Sequence, residues 1–180
     1  QSPEKSSFAP LGMEKPLSGM EILHEHPAGK KYAHLLEEMP AFPVFRDSVG
    51  NILSMPPIIN SHIVGQVTLN DRDLFVEVSG HYWPTVSVIL DILAYLFADM
   101  KGELYEVRVQ YPHETDPRST PELGKTTQTV DVDLVNQTLG TTFTSQQVSD
   151  LLGRMMYDVV KSNPQQLQVE TPSFRVDILH

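Results

Sequence analysis

The 180-residue sequence contains no cysteine, which rules out structural disulfides, thiolate zinc sites and thiol redox chemistry. It also lacks any uninterrupted apolar run of about 18 residues; the longest apolar segment, residues 86–100, is broken by Ser87, Asp91 and Asp99. That segment reads as a packed helix, and no membrane span is expected. No glycine-rich phosphate loop, dinucleotide fingerprint, H-E-x-x-H or G-x-S-x-G elbow occurs, so an autonomous nucleotide-using enzyme is not expected. Basic residues are scarce, with 13 Lys and Arg against 23 Asp and Glu and a net charge of −10. Such a surface repels polyanions at long range, and an RNA partner would have to be held by something else. Internal repeats and low-complexity tracts are missing as well. The first residues show neither an initiator Met nor the pattern of a signal peptide, and FRVDILH stops on a strand-like run, so a piece of a longer polypeptide is expected.

What is present is a hydrophobic content of 40% arranged in both helical and alternating patterns, which argues for a folded α+β protein. Residues 1–18 read as an extended lead-in. Ser18 and Glu21 form a capping-box pattern ahead of a helix GMEILHEH, ended by Pro27 and Gly29, and KKYAHLLEEM reads as a second helix. His24, His26 and His34 fall near these helices; capping or solvated roles are expected for them, and no metal site. AFPVFRD and ILSM should form a hairpin turned by Gly50, after which Pro56 and Pro57 force an extended path. LFVEVSG, residues 74–80, alternates Leu74, Val76 and Val78 with Phe75, Glu77 and Ser79, and reads as a strand. Pro84 then opens a long helix closed by Gly102, and ELYEVRVQYP reads as a strand. Residues 112–125 are dense in proline and charge and are expected to be a linker. Beyond it, TTQTVDV, a helix capped by Asp133, a helix QVSDLLGRMMYDVV with a Thr144/Gln147 capping box, and strands QLQVETP and FRVDIL outline a winged-helix-like module over 126–180. Its basic residues, Arg154 and Arg175 among them, are too few for a nucleic-acid face.

One stretch could build a small pocket. Glu77 and Ser79 share a strand face, and Ser54 and Phe45 come from the hairpin, so a carboxylate and two hydroxyls would stand beside an aromatic wall able to hold a small polar aromatic ligand. His81 and Tyr82 could line its mouth, and Trp83 should anchor the helix start. A solvent-facing acid, a strand-ending serine and a rigid core loop explain the same residues more blandly, and the pattern alone leaves both readings open.

FAPLGMEKPLSGMEIL, HPAGKKYAHLLEEMPAFPVFRDSVGNILSMPPIINS and DLFVEVSG follow one another, then TVDVDLVNQTLG, QVSDLLGRMMYDV and TPSFRVDILH. This series resembles the β subunit of phenylalanyl-tRNA synthetases of the archaeal and eukaryotic cytosolic type. The resemblance implies that residues 19–111 form the editing-type domain, which hydrolyses tyrosine wrongly attached to the phenylalanine tRNA, and that 126–180 form the winged-helix-like fifth domain. The order strand, helix, strand in the former independently suggests an α/β sandwich. The resemblance further implies a heterotetramer with the α subunit, a cytoplasmic location, and ATP and magnesium used by the whole enzyme with no cofactor in this piece. Carried over residue by residue, the editing pocket falls on Phe45, where a smaller aliphatic is common, on Ser54 of the L-S-x-P-P-I-I-N motif, on Glu77, and on Ser79, where threonine is usual. Where many members read T-G-T-D, this chain reads Ser79, Gly80, His81, Tyr82.

Overall fold

In the computed structural model, residues 2–178 are described, and the chain divides into two compact units, 1–79 and 80–180. The mixture of helices with small antiparallel sheets is the α+β class expected from the sequence.

In the first unit, β1 (Ser7–Phe8) pairs with β2 (Leu17–Ser18), which leads directly into α1 (Gly19–Glu25). The capping box forms as the sequence suggested: the Glu21 amide donates to Ser18 Oγ at 3.3 Å, and the Ser18 amide donates to Glu21 Oε2 at 2.7 Å. α1 ends just before Pro27, as expected, but Pro27 also opens a second helix. It is the first residue of α2 (Pro27–Tyr32), where the missing N–H costs nothing because first-turn amides have no intrahelical acceptor. His26 makes the junction: its Nδ1 accepts from the Ala28 amide at 3.1 Å, which leaves Nε2 to donate to the Leu11 carbonyl at 3.0 Å. The expected second helix is thus shorter and earlier than KKYAHLLEEM, with only a 3-10 turn at Ala33–Leu35 beyond it. Gly29 is required here, because a Cβ would stand 1.8 Å from the Ile22 carbonyl oxygen where α1 and α2 meet backbone to backbone. The core of this unit is Phe8, Leu17, Ile22, Leu23, Leu36, Phe42, Ile52, Met55 and Ile58.

The second unit begins with α3 (Trp83–Asp99), carrying Pro84 in its first turn. Gly102 is not its left-handed cap. Lys101 takes that conformation, at φ 70°, and Gly102 instead allows a tight return in which its amide reaches the Phe97 carbonyl at 2.8 Å. Of the expected strand ELYEVRVQYP only β6 (Val107–Val109) forms. Its partner is β7 (Arg118–Thr120), within the interval expected as a linker. Arg118 ties this hairpin to the helix start: it lies 4.7 Å over the Trp83 ring and is held by Glu114 through Nε at 2.8 Å and Nη2 at 2.5 Å. Trp83 is accordingly an anchor.

The tail folds as helix, helix and hairpin on a three-stranded sheet of order β8-β10-β9, with β8 at Thr126–Asp131, β9 at Asp158–Ser162 and β10 at Gln166–Thr171. Asp131, two residues earlier than expected, caps α4 (Val132–Leu139) by accepting from the Leu134 amide at 2.9 Å, and Gly140 closes it at φ 67°. Thr144 and Gln147 cap α5 (Ser145–Arg154). This helix stops sooner than its sequence pattern suggested, because the run from Asp158 onward is taken by β9. FRVDIL does not form a strand: residues 174–178 are turns and irregular chain, and Leu179 lies outside the described residues. The hairpin is β9 and β10, over a core of Val132, Val148, Tyr157, Leu167 and Val169.

Candidate functional site

The hairpin that carries the first candidate residues is fixed by its own turn. Gly50, at φ 96°, supplies the left-handed residue, and Asp47 Oδ1 accepts from the amides of Val49 at 3.0 Å and Asn51 at 2.8 Å. The Asn51 side chain donates to Asp47 Oδ2 at 2.7 Å, and these bonds hold the Asp47 carboxyl below the usual carboxylate range. The strands β3 (Phe45–Arg46) and β4 (Ile52–Met55) are joined on the other side by β5 (Ile59–Asn60). Pro56 and Pro57 therefore turn the chain back between β4 and β5, and do not send it along the extended path the sequence suggested.

The register sets Phe45 opposite Ser54 and Ser54 opposite Asn60, so an aromatic ring, a hydroxyl and an amide form one row across three strands. Ser54 is buried, while Phe45 is 38% exposed at the rim. Beyond Asn60, the Ser61 hydroxyl accepts from the amides of Val64 and Gly65, both at 3.1 Å, and Asn60 donates to the Gly65 carbonyl at 3.2 Å. Asn60 is thereby oriented by the loop that follows it.

Glu77 and Ser79 stand differently. The expected strand LFVEVSG is not formed: residues 71–80 are irregular, and no backbone N–H or C=O from Arg72 to Ser79 takes part in a backbone hydrogen bond among the described residues. An alternating sequence supplies the faces of a strand but not the neighbour its amides need. The alternation itself survives. Val76 and Val78 are half-buried while Phe75, Glu77 and Ser79 are exposed, and the Ser79 hydroxyl donates to the Glu77 carboxylate. Phe75, which the sequence reading passed over, meets Phe45 edge-on with ring centroids 6.3 Å apart. Its parity with Glu77 and Ser79 was the available signal. Phe45 and Ser54 are thus brought together directly, and the segment bearing Glu77 and Ser79 approaches them through Phe75. His81 and Tyr82 belong to the second unit, both exposed, with Tyr82 preceding α3 and making no side-chain cap.

No group of three or more His, Asp or Glu suited to a metal ion occurs among the described residues, and no described helix is long and apolar enough to cross a membrane. The second unit holds an open groove of about 470 Å³ along α4 and α5, lined by apolar side chains with Arg154 the single charged one. It lacks the converging polar groups that chemistry requires.

Residues 128–180 match the family model of the tRNA synthetase B5 domain, which covers the sheet, α4 and α5 of the tail. The tail is thus similar to a domain found in tRNA synthetases. Over 99% of its length the chain is 36% identical to the phenylalanine–tRNA ligase β subunit of Thermococcus sibiricus, and over 96% it is 35% identical to that of Pyrococcus furiosus; it spans 31% of each. A solved N-terminal fragment of the phenylalanyl-tRNA synthetase β subunit from Pyrococcus horikoshii superposes with a TM-score of 0.89 at 34% identity, across 99% of this chain and 51% of that one. The chain is a relative of the phenylalanine–tRNA ligase β subunit, matched along nearly its whole length and spanning about a third of it.

Proposed function

We propose that this chain contributes the editing pocket of a phenylalanine–tRNA ligase β subunit, clearing tyrosine from mischarged phenylalanine tRNA. The observation that carries this reading is the row Phe45, Ser54, Asn60 with Phe75 against Phe45, next to a segment whose outer face bears Glu77 and Ser79. Phe45 and Phe75 offer an aromatic wall for a ring, and Glu77 or a serine offers an acceptor for a phenol hydroxyl. Discrimination then follows from desolvation: a site that pairs its polar group with tyrosine leaves that group unpaired against phenylalanine, and such sites reject the analogue strongly. A water placed near the ester by the serine hydroxyls would complete the hydrolysis. Aminoacylation, with its ATP and magnesium, is assigned to the whole enzyme together with an α subunit, in a heterotetramer of the cytoplasm. The phenylalanine tRNA is held by that assembly, since 23 acidic against 13 basic residues give this chain no attraction for RNA.

The exposure of Glu77 and Ser79 favours a second reading, in which the chain is an architectural module for α-subunit and tRNA docking and its pocket is degenerate. Deacylation of tyrosyl-tRNA by the complete heterotetramer separates the two. Under the editing reading, Glu77→Ala slows clearance by about tenfold or more while phenylalanine charging is retained. No clearance by the unsubstituted enzyme, under conditions where charging proceeds, would leave the architectural reading.

A further inference from the structure

The groove along α4 and α5 is walled by apolar side chains, several of them left bare. Val135 and Leu139 come from α4, Phe143 from the connection, Leu151 and Leu152 from α5, and Met155 from the residue that ends it. Leu139, Leu151 and Met155 are 64%, 41% and 48% accessible, although the core against which Val135, Phe143 and Leu152 pack is closed. The volume of about 470 Å³ lies in the range of small-molecule sites, roughly 300–1,000 Å³. One charge enters this lining, the guanidinium of Arg154 in the last turn of α5. Arg118, Lys125 and Arg175 are each taken by a carboxylate, those of Glu114, Asp158 and Asp177. The Arg154 side chain, in contrast, takes part in no hydrogen bond or ion pair among the described residues. Even Asp150, one turn back on the same helix, accepts from the Gln146 side chain at 2.8 Å instead.

We infer that this groove is a binding site for an amphiphilic monocarboxylate, a ligand whose apolar body lies between α4 and α5 and whose single carboxylate is held by Arg154. A guanidinium presents its donors in a planar fork that matches a carboxylate bidentately, and a pair formed beside apolar walls is stronger than one in open water. The other side chains of the lining are hydrocarbon and one thioether, so a second polar group on the ligand would lose water and gain no partner. A free amino acid is thereby disfavoured, because its ammonium finds no acceptor there. Charge narrows the class further: a net charge of −10 opposes a dianion such as a phosphate monoester more than it opposes one carboxylate. None of Phe45, Ser54, Glu77 or Ser79 takes part, and the site stands whether or not the editing reading does.

Calorimetric titration of this chain with decanoate, decanol and acetate, each below the concentration at which it aggregates, tests the site. Decanoate should bind about tenfold or more tightly than decanol, and acetate not measurably, because the carboxylate and the apolar body are both needed. Arg154→Gln should lower the affinity for decanoate about tenfold and leave that for decanol unchanged. Leu139→Gln, at an exposed position outside the closed core, should weaken both ligands about threefold or more while the unfolding midpoint of the chain stays where it was. Equal affinity for decanoate and decanol, or a decanoate affinity indifferent to Arg154→Gln, would reduce the groove to an unselective apolar patch and overturn the inference. The complete heterotetramer should bind decanoate as this chain does, one per β subunit. Binding by this chain with none by the heterotetramer would mean that another part of the enzyme fills the groove, which refutes the ligand site equally.

Discussion

QLQVET at 166–171 and LFVEVS at 74–79 are written in the same alternation, six residues long with one glutamate each, and they meet opposite fates. The first is the central strand β10, paired with β8 along its whole length and with β9 on its other side, and it buries Leu167 and Val169 completely. The second has no strand beside it and leaves Leu74 and Phe75 largely in solvent. Alternation fixes which side chains share a face; whether that face becomes an interior depends on a neighbour that the six residues themselves do not encode. The same contrast runs through the candidate site, where Ser54 is locked between two strands and Glu77 is not.

Substitutions grade this contrast. Leu167→Ala should cost about 2–5 kcal/mol in urea unfolding, as expected for a large side chain removed from a fully buried position. Asp131→Ala, at the end of the strand that pairs with β10, should cost about 1 kcal/mol by leaving the Leu134 amide without its acceptor. Val76→Ala, the counterpart of Leu167→Ala in the unpaired segment, should cost less than about 1 kcal/mol in the same chain. A cost equal to that of Leu167→Ala would erase the distinction between the two runs. Glu77→Ala should shift stability by no more than about 0.5 kcal/mol in this chain, since the side chain is exposed and its hydrogen bond is local.

Elements whose determinants lie within a few residues were legible in the sequence. The Ser18/Glu21 and Thr144/Gln147 boxes depend on side chains three positions from the backbone they satisfy, and the turns at Gly50 and Gly140 on the positive φ that glycine itself allows. Errors arose where two local signals competed. Pro27 was read only as a stop and is also a start, and Asp133 looked like a cap although Asp131 sits two residues earlier with its carboxylate already on the Leu134 amide. β7 was hidden in a proline- and charge-rich interval because its three residues owe their extended shape to Val107–Val109 across the pair. In the candidate site, Phe45 and Ser54 could be paired from the hairpin alone. Spacing placed Phe75 on the face of Glu77 and Ser79, but its contact with Phe45 could not be read there, because the partner lies thirty positions away in sequence.

The burial of Asp91 in the middle of α3 has a consequence of another kind. Only 3% of this residue is accessible, on a helix whose Tyr95 meets Phe174 edge-on at 4.7 Å, and burial pushes its carboxyl above the usual range. The folded unit then binds a proton more tightly than the unfolded chain does. Folding and protonation are coupled, so this carboxyl's contribution to stability is greatest in acid, declines as pH rises from the ordinary aspartate range through the raised folded value, and is level above it. Replacing it by the uncharged isostere, Asp91→Asn, should remove that slope, which urea unfolding across the acidic range would reveal.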